Sequence, residues 1–289
     1  MSKASENYTA KLRAKSIVLF IVCILLTLVC LVPIYILIIN STRSHVDIIS
    51  SVSFLPGSQL VRNVNELMTN DLYQFDPFVG FKNSAIIAIC STVLSVFFSA
   101  LTSYGLCVYD FKLRGPAFTF ILAVMMVPMQ VTSVGFLQFM IKLGLSDSFI
   151  PLIIPTIAAP PIVFFMRQYL KSSFPLDIVE AARIDGCGEF RTFLTIAIPM
   201  MKPAIAVQAI FAFIANWNNF YQPSMILVSR KFNQLTMPMM INMLKSNDKI
   251  ADYGVIYAGI ALSIIPVVII YLLLSRFIVE GVALGGVKE

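Results

Sequence analysis

Residues Glu180 to Pro203 read EAARIDGCGEFRTFLTIAIPMMKP, a charged, proline-bounded segment set between two strongly apolar stretches. Upstream, Ser173 and Pro175 supply a start signal, and Asp177 and Glu180 place negative charge in a first helical turn, where the helix dipole favours it. Gly186 and Gly188 offer a left-handed stop. Phe190, Phe193, Leu194 and Ala197 then recur at helical spacing until Pro199 ends the run. The segment predicts helix, glycine turn, helix: a knob with Ala181, Ala182 and Ile184 as a small apolar face beside Glu180, Arg183 and Asp185. Small residues permit close approach by a partner, and charged neighbours orient that approach. The residues alone leave open a second reading, an amphipathic segment lying on lipid headgroups.

Outward from this segment the chain is built for lipid. Of 289 residues, 58% are hydrophobic and 12% charged, against roughly 45–50% apolar and about 25% charged in a soluble domain. Six runs approach the ~20 residues needed to cross a ~30 Å hydrocarbon core: 16–39, 84–106, 116–140, 149–166, 204–228 and 254–276. The first follows Lys11, Arg13 and Lys15 but is too long for a signal peptide, whose apolar region spans about 7–15 residues, so it reads as a retained helix. The polar stretch after it, with Gly57, Asn63, Asn65, Asn70, Glu66, Asp71 and Asp76, reads as an external loop. With the N-terminus inside, 13 Lys and Arg fall in cytoplasmic pieces and 8 outside, the asymmetry of the positive-inside rule.

The net charge of +6 does not point to nucleic acid, because the basic residues are scattered among short loops; anionic lipid headgroups are the simpler counter-charge. Five cysteines, Cys23, Cys30, Cys90, Cys107 and Cys187, form neither a disulfide framework nor metal-ligand spacing. The single histidine, His45, has only Asp47 nearby and reads as a solvated loop residue. No nucleophile, base or metal constellation supports an enzyme. No G-x-x-x-x-G-K-[ST] phosphate loop occurs either, so energy for any pumping must come from another polypeptide or an ion gradient.

EAARIDG, followed by Ile198, Pro199, Lys202 and Pro203, resembles the EAA loop of binding-protein-dependent ABC importer permeases. NWNNFYQP (Asn216 to Pro223) and RFIVEGVALGGVKE (Arg276 to Glu289) look like the sugar-importing, maltose-type, MetI-like branch. The resemblance implies an all-α integral membrane fold of six transmembrane helices, with a five-helix core and a cytoplasmic two-helix coupling loop at 167–203. The chain then divides into a cytoplasmic tail (1–15), a peripheral first helix (16–39), an extracytoplasmic loop (40–83), the permease core (84–280) and a cytoplasmic tail (281–289). It further implies a plasma-membrane heterodimer with a second permease, two ATPase subunits that bind ATP and Mg so that this chain holds no cofactor, and a solute-binding protein that delivers a sugar. Coupling would fall to Glu180, Ala181, Ala182, Arg183, Asp185 and Gly186; Cys187 stands where the family commonly has alanine. The tail from Gly281 to Lys288 either reaches toward the ATPase or frays.

The solute path is less marked. Asn216, Trp217, Asn218 and Asn219 lie in the fifth run, where amides without partners are costly. They read either as sugar contacts, with Trp217 stacking on a sugar face, or as interhelical hydrogen bonding. Gln130 and Thr132, after Pro128, are candidates for the same cavity, with Met125, Met126 and Met129 as packing or gating residues. Pro128, Pro151, Pro155, Pro160 and Pro161 each remove an amide donor and mark either kinks or breaks lining a path. By resemblance, Ser229 to Tyr253 is a docking surface for the binding protein. Two rival classes are an ion-coupled secondary transporter, which would need ionisable residues inside its spans, and a non-transporting scaffold.

Overall fold

The computed structural model describes residues 3–70, 73–229, 231–246 and 252–285. Regular structure among them is helical. The order is α1 (Lys3–Ser41), α2 (His45–Ser50), α3 (Leu60–Thr69), α4 (Pro77–Val108), α5 (Arg114–Met125), α6 (Met129–Lys142), α7 (Ile150–Ile153), α8 (Pro160–Ser173), α9 (Asp177–Ile184), α10 (Glu189–Thr192), α11 (Ile198–Met200), α12 (Lys202–Trp217), α13 (Tyr221–Ile226), α14 (Met237–Ser246) and α15 (Tyr253–Gly285). A 3₁₀ turn links α7 to α8, and a π turn, Phe193–Ala197, links α10 to α11. The chain forms two units, Met1–Tyr73 with Leu244–Leu262, and Gln74–Met243 with Ser263–Glu289.

Among the described residues, four helices are long and apolar enough to cross a membrane: Lys15–Ser41, Pro77–Val108, Ile150–Ser173 and Tyr253–Leu273. The other two expected spans are bent pairs, and six is reached only if each pair counts as one span. The run 116–140 is not one rod: α5 and α6 meet at 94°. Pro128 supplies no amide and sits in extended backbone as the residue before α6, where a helix cannot continue through it. The expected 204–228 span also ends early, because α12 stops at Trp217 and the chain restarts as α13. At its other end α12 turns 80° from Glu189–Met200, restarting at Lys202 with Pro203 in its first turn.

In the first unit, every described side chain of α1 from Ser16 to Tyr35 is exposed, as suits a helix immersed in lipid, and the expected tail at 3–15 continues that helix. The expected external loop is partly helical. Ser44 caps α2, its hydroxyl accepting from the Asp47 amide at 3.2 Å and donating to the Asp47 carboxylate at 2.6 Å; Asp76 caps α4 through the amides of Phe78 and Val79. Asp71 lies outside the described residues. Buried Arg43 donates to the carbonyls of Asp47 and Ser51 at 2.7 and 3.0 Å. Asn63 donates to the carbonyls of Ser41 and Arg43, both at 2.9 Å. His45 is not merely solvated: its ring stacks on Tyr253 at 5.2 Å, and its Nδ1 accepts from the Tyr253 amide at 3.1 Å. A Cβ on Gly254 would lie 2.5 Å from the Arg43 carbonyl, so only glycine fits this close approach.

The second unit is organised on α4, against which α8 and α12 pack. One face of α4 is a stripe of small residues that donates along its length to carbonyls of the α7–α8 segment: Ser91 to Leu152 (3.2 Å), Ser99 to Ala159 (3.5 Å), Ser103 to Val163 (2.9 Å) and Cys107 to Arg167 (3.7 Å), while Ser95 between them donates to Thr92 of its own helix. Small side chains let the backbones approach, and hydroxyls supply the partners that lipid lacks. The break around Pro155 is thereby satisfied by protein. Below it lies a core of Val96, Ala100, Tyr104, Met166, Leu170, Val179, Phe193, Ala197 and Met201. It joins α4 and α8 to the segment between Asp177 and Met201.

Candidate functional site

The knob forms as a helix, a glycine turn and a second helical stretch, but that stretch does not end at Pro199: it continues through it to Met200, with the proline in the first turn of α11. Helix α9 carries Asp177 and Glu180 in its first turn, although no side chain caps it. Ser173 belongs instead to the end of α8, 3.2 Å from the Ser172 hydroxyl. Gly186 stops the helix at φ 75°, with its amide on the Arg183 carbonyl (3.0 Å) and the Cys187 amide on the Ala182 carbonyl (2.9 Å), a left-handed C-terminal motif. Gly188 is extended rather than left-handed and leads into α10.

The expected apolar face is divided. Val179 and Ala182, one turn apart, point inward and are buried, because this stripe of α9 packs onto the core. Glu180, Ala181, Ile184 and Asp185 face outward, and Ile184 is 87% exposed. Arg183 is committed internally. Its guanidinium donates Nε to Glu189 Oε1 at 2.7 Å and Nη2 to Oε2 at 3.3 Å, and it lies 5.7 Å over the Tyr109 ring. The Tyr109 hydroxyl donates to Glu189 Oε2 at 2.6 Å. These bonds to Arg183 and Tyr109 hold the Glu189 carboxyl below its usual range. The Glu189 hydrogen bond raises the Arg183 pKa. Loss of water and then the bond to Glu189 push Tyr109 up to about 12. Since Tyr109 follows the last residue of α4, this triad clamps the knob to the central helix. Sequence spacing did not reveal Tyr109 or Glu189, which are 80 residues apart.

Elsewhere in the unit a cavity of about 220 Å³ is lined by Met129, Thr132, Ser133, Phe136, Pro155, Gln222, Met225 and Ile226. Of the residues expected on a solute path, Thr132 and Met129 line it. Gln130 is exposed and its side chain is not part of the wall. Trp217 is withdrawn: it is 2% exposed, stacked on Phe213 and Phe81 at 5.6 and 6.1 Å, and donates Nε1 to the Ser263 carbonyl at 3.1 Å. No face of its ring is free for a sugar. Asn216 donates to the Ala212 carbonyl at 2.8 Å within its own helix, and Asn218 is the exposed residue closing α12. Asn219 acts at one remove, donating to Gln222 Oε1 at 2.8 Å and accepting the Gln222 amide at 3.2 Å, which fixes the amide that lines the cavity. The polar wall residues missed from the sequence are Gln222 and Ser133; Ser133 shares a 2.8 Å hydroxyl contact with Tyr221. The NNFYQP run held the signal for Gln222, one turn beyond the asparagines.

At the end of these helices remote from the knob, Asp147 takes φ 59° and organises the outer turn. Its amide donates to the Ile226 carbonyl, its carboxylate accepts the Ser229 amide at 2.8 Å and the Ser229 hydroxyl, and its carbonyl accepts from Gln234 at 2.9 Å. The Ser229 bonds lower the Asp147 pKa. Within the expected docking stretch Ser229 to Tyr253, residues 230 and 247–251 lie outside the described residues. So do 286–289 of the C-terminal motif, whose backbone otherwise continues α15.

Comparison with known proteins bears on this geometry. Residues 95–283 match the family model described as "Binding-protein-dependent transport system inner membrane component". The chain is 35% identical over 276 residues to the arabinooligosaccharides transport system permease protein AraQ of Bacillus subtilis (strain 168), covering 91% of this chain and 92% of that one. It is 30% identical over 281 residues to the lactose transport system permease protein LacG of Rhizobium radiobacter, covering 97% and 99%. A chain in the crystal structure of a bacterial ABC transporter involved in import of the acidic polysaccharide alginate shares the fold, with TM-score 0.74, 22% identity, and coverage of 96% and 98%.

Proposed function

The chain belongs to the family of binding-protein-dependent transport system inner membrane components, and from that membership we infer that it is the permease subunit of an ATP-driven ABC importer for a sugar or oligosaccharide. Its relatives named for arabinooligosaccharide and lactose transport support this substrate class. The subunit moves solute through a multi-pass membrane bundle and makes or breaks no bonds; ATP and Mg are held by two ATPase subunits.

The observation that carries the coupling reading is the knob itself. Its inner stripe, Val179 and Ala182, is buried, its Arg183 is clamped through Glu189 to Tyr109 at the end of α4, and its outer edge of Glu180, Ala181 and Ile184 is exposed. A rigid knob fixed to the central helix transmits displacement, whereas a loose loop absorbs it. The ATPase takes the outer edge, and its closure moves α4 with the packed α8 and α12. The knob end is cytoplasmic, in line with the charge asymmetry of the loops, and both termini lie on that side. A second permease completes the path, and the solute-binding protein delivers to the rim organised by Asp147 and Ser229. In the path, Gln222 and Ser133 offer hydrogen bonds to sugar hydroxyls, with Thr132 beside them, in the cavity walled by methionines that can repack.

The test is co-expression with the neighbouring transport genes and measurement of ATPase activity and sugar uptake in proteoliposomes, for wild type and Glu180→Arg. Residue 180 is exposed, so the variant is expected to fold. Stimulation by sugar-loaded binding protein in the wild type, lost in a variant that still purifies with the second permease, is the expected result. Unchanged uptake by Glu180→Arg overturns the coupling role.

A further inference from the structure

On the seam between α5 and α8, at the membrane end nearest the knob, the structure gathers positive charge over an aromatic floor. Arg114 and Phe118 lie one turn apart on α5, and Phe164, Arg167 and Lys171 are one turn apart in succession on α8, so each set shares a helix face. Arg114 donates Nε to the Leu106 carbonyl at 2.7 Å and Nη2 to the Cys107 carbonyl at 3.1 Å. The Cys107 thiol in turn meets the Arg167 carbonyl at 3.7 Å. The Arg167 guanidinium carbon lies 3.7 Å over the Phe118 ring, and Phe118 stacks on Phe164 at 6.3 Å.

Arg167 is 8% exposed, and its Nε is buried with no hydrogen-bond partner. Among the described residues the ion pairs are Arg62–Asp252 and Arg183–Glu189. Among the described residues, then, no carboxylate pairs with Arg114, Arg167 or Lys171, and the acid in the neighbouring turn, Asp110, pairs with none of them. Stacking on a ring offsets part of the cost of a desolvated guanidinium, but a buried charge still requires a counter-ion. The layout specifies one: basic groups at the rim with phenyl rings leading into the apolar span match a phosphate joined to an acyl chain.

We propose that this seam binds the phosphate headgroup of an anionic phospholipid, with Arg167 and Lys171 on the phosphate, Arg114 beside them, and the acyl chain against Phe118 and Phe164. Basic pockets between transmembrane helices hold anionic headgroups by this chemistry. The lipid then braces α8, whose end carries the knob, so the membrane's anionic content enters the coupling path.

The experiment uses the full-length chain in zwitterionic detergent. It is titrated with mixed micelles of phosphatidylglycerol, with phosphatidylcholine, or with inorganic phosphate, and read by native mass spectrometry and thermal unfolding. Phosphatidylglycerol is expected to leave a retained adduct and raise Tm, with phosphatidylcholine inert and inorganic phosphate ineffective at matched concentration. Arg167→Gln and Lys171→Gln are each expected to weaken half-saturation about five-fold, Arg167→Lys to retain most binding, and Lys142→Gln to behave as wild type. Lys171 is exposed, so its variant reports even if Arg167→Gln misfolds. An equal response to inorganic phosphate makes the site a free-anion site and overturns the lipid assignment. Wild-type phosphatidylglycerol binding by Lys171→Gln and the Arg167 variants overturns the site.

Discussion

Replacing Trp217 separates a packing residue from a sugar platform. In aqueous cores Trp→Ala costs about 3–5 kcal/mol, the sum of a transfer term and a cavity term. Here the unfolded reference also lies in lipid, so the transfer term shrinks and the cavity left among Phe81, Phe213, Val267 and Ile270 dominates. The lost Nε1 bond to Ser263 adds about 0.6 kcal/mol, the average for such bonds in membranes. Together these give roughly 2–4 kcal/mol for Trp217→Ala. At about 2–4 °C per kcal/mol for a chain of this order, Tm should fall by roughly 5–15 °C. Trp217→Phe keeps a ring stacked on Phe213 and loses mainly the hydrogen bond and one ring edge, so a fall of about 2–4 °C is expected. The assay is heating of detergent-solubilised protein followed by size-exclusion chromatography, with sugar uptake measured in parallel. A Trp217→Ala protein as stable as wild type but with a raised uptake KM would refute the packing assignment and restore Trp217 to the path.

The knob triad makes stability of 177–192 depend on pH at both ends. Glu189 has a lowered pKa, so its contribution is present above the ordinary carboxylate range and lost as pH falls through the folded value. Tyr109, raised to about 12, contributes below its ordinary range and loses that contribution as pH climbs through about 12. Protease accessibility of the knob should show both limbs in wild type, with Glu189→Gln abolishing the acid one; an acid limb unchanged in the variant would dissociate it from the triad. At Gly186, φ 75° costs a side-chain-bearing residue about 1–2 kcal/mol. Gly186→Val should therefore disorder the knob and reduce ATPase stimulation while the assembled complex still forms, and full stimulation would contradict the requirement.

The sequence by itself determined the lipid setting, the helical class and the knob, because each rests on a local signal: run length and charge poverty for the spans, first-turn acids and Gly186 for the knob. It also placed the prolines at which the chain breaks. It did not determine direction. Whether Pro128 kinks a rod or turns it by 94° depends on what the freed ends pack against, and that is settled by neighbours distant in sequence. The same holds for side-chain fate. Trp217, a candidate from the sequence, and Gln222, which the sequence did not single out, lie near one helix end, yet contacts with Phe81, Phe213 and Ser263 bury the first, while Asn219 fixes the second at a cavity wall. Tyr109, Glu189 and Arg167 carried no motif, since an ion pair or a cation over a ring is made by two elements meeting. Only the tertiary structure brings those elements together, because packing of α8 and α9 against α4 decides which charges find partners and which are left needing one.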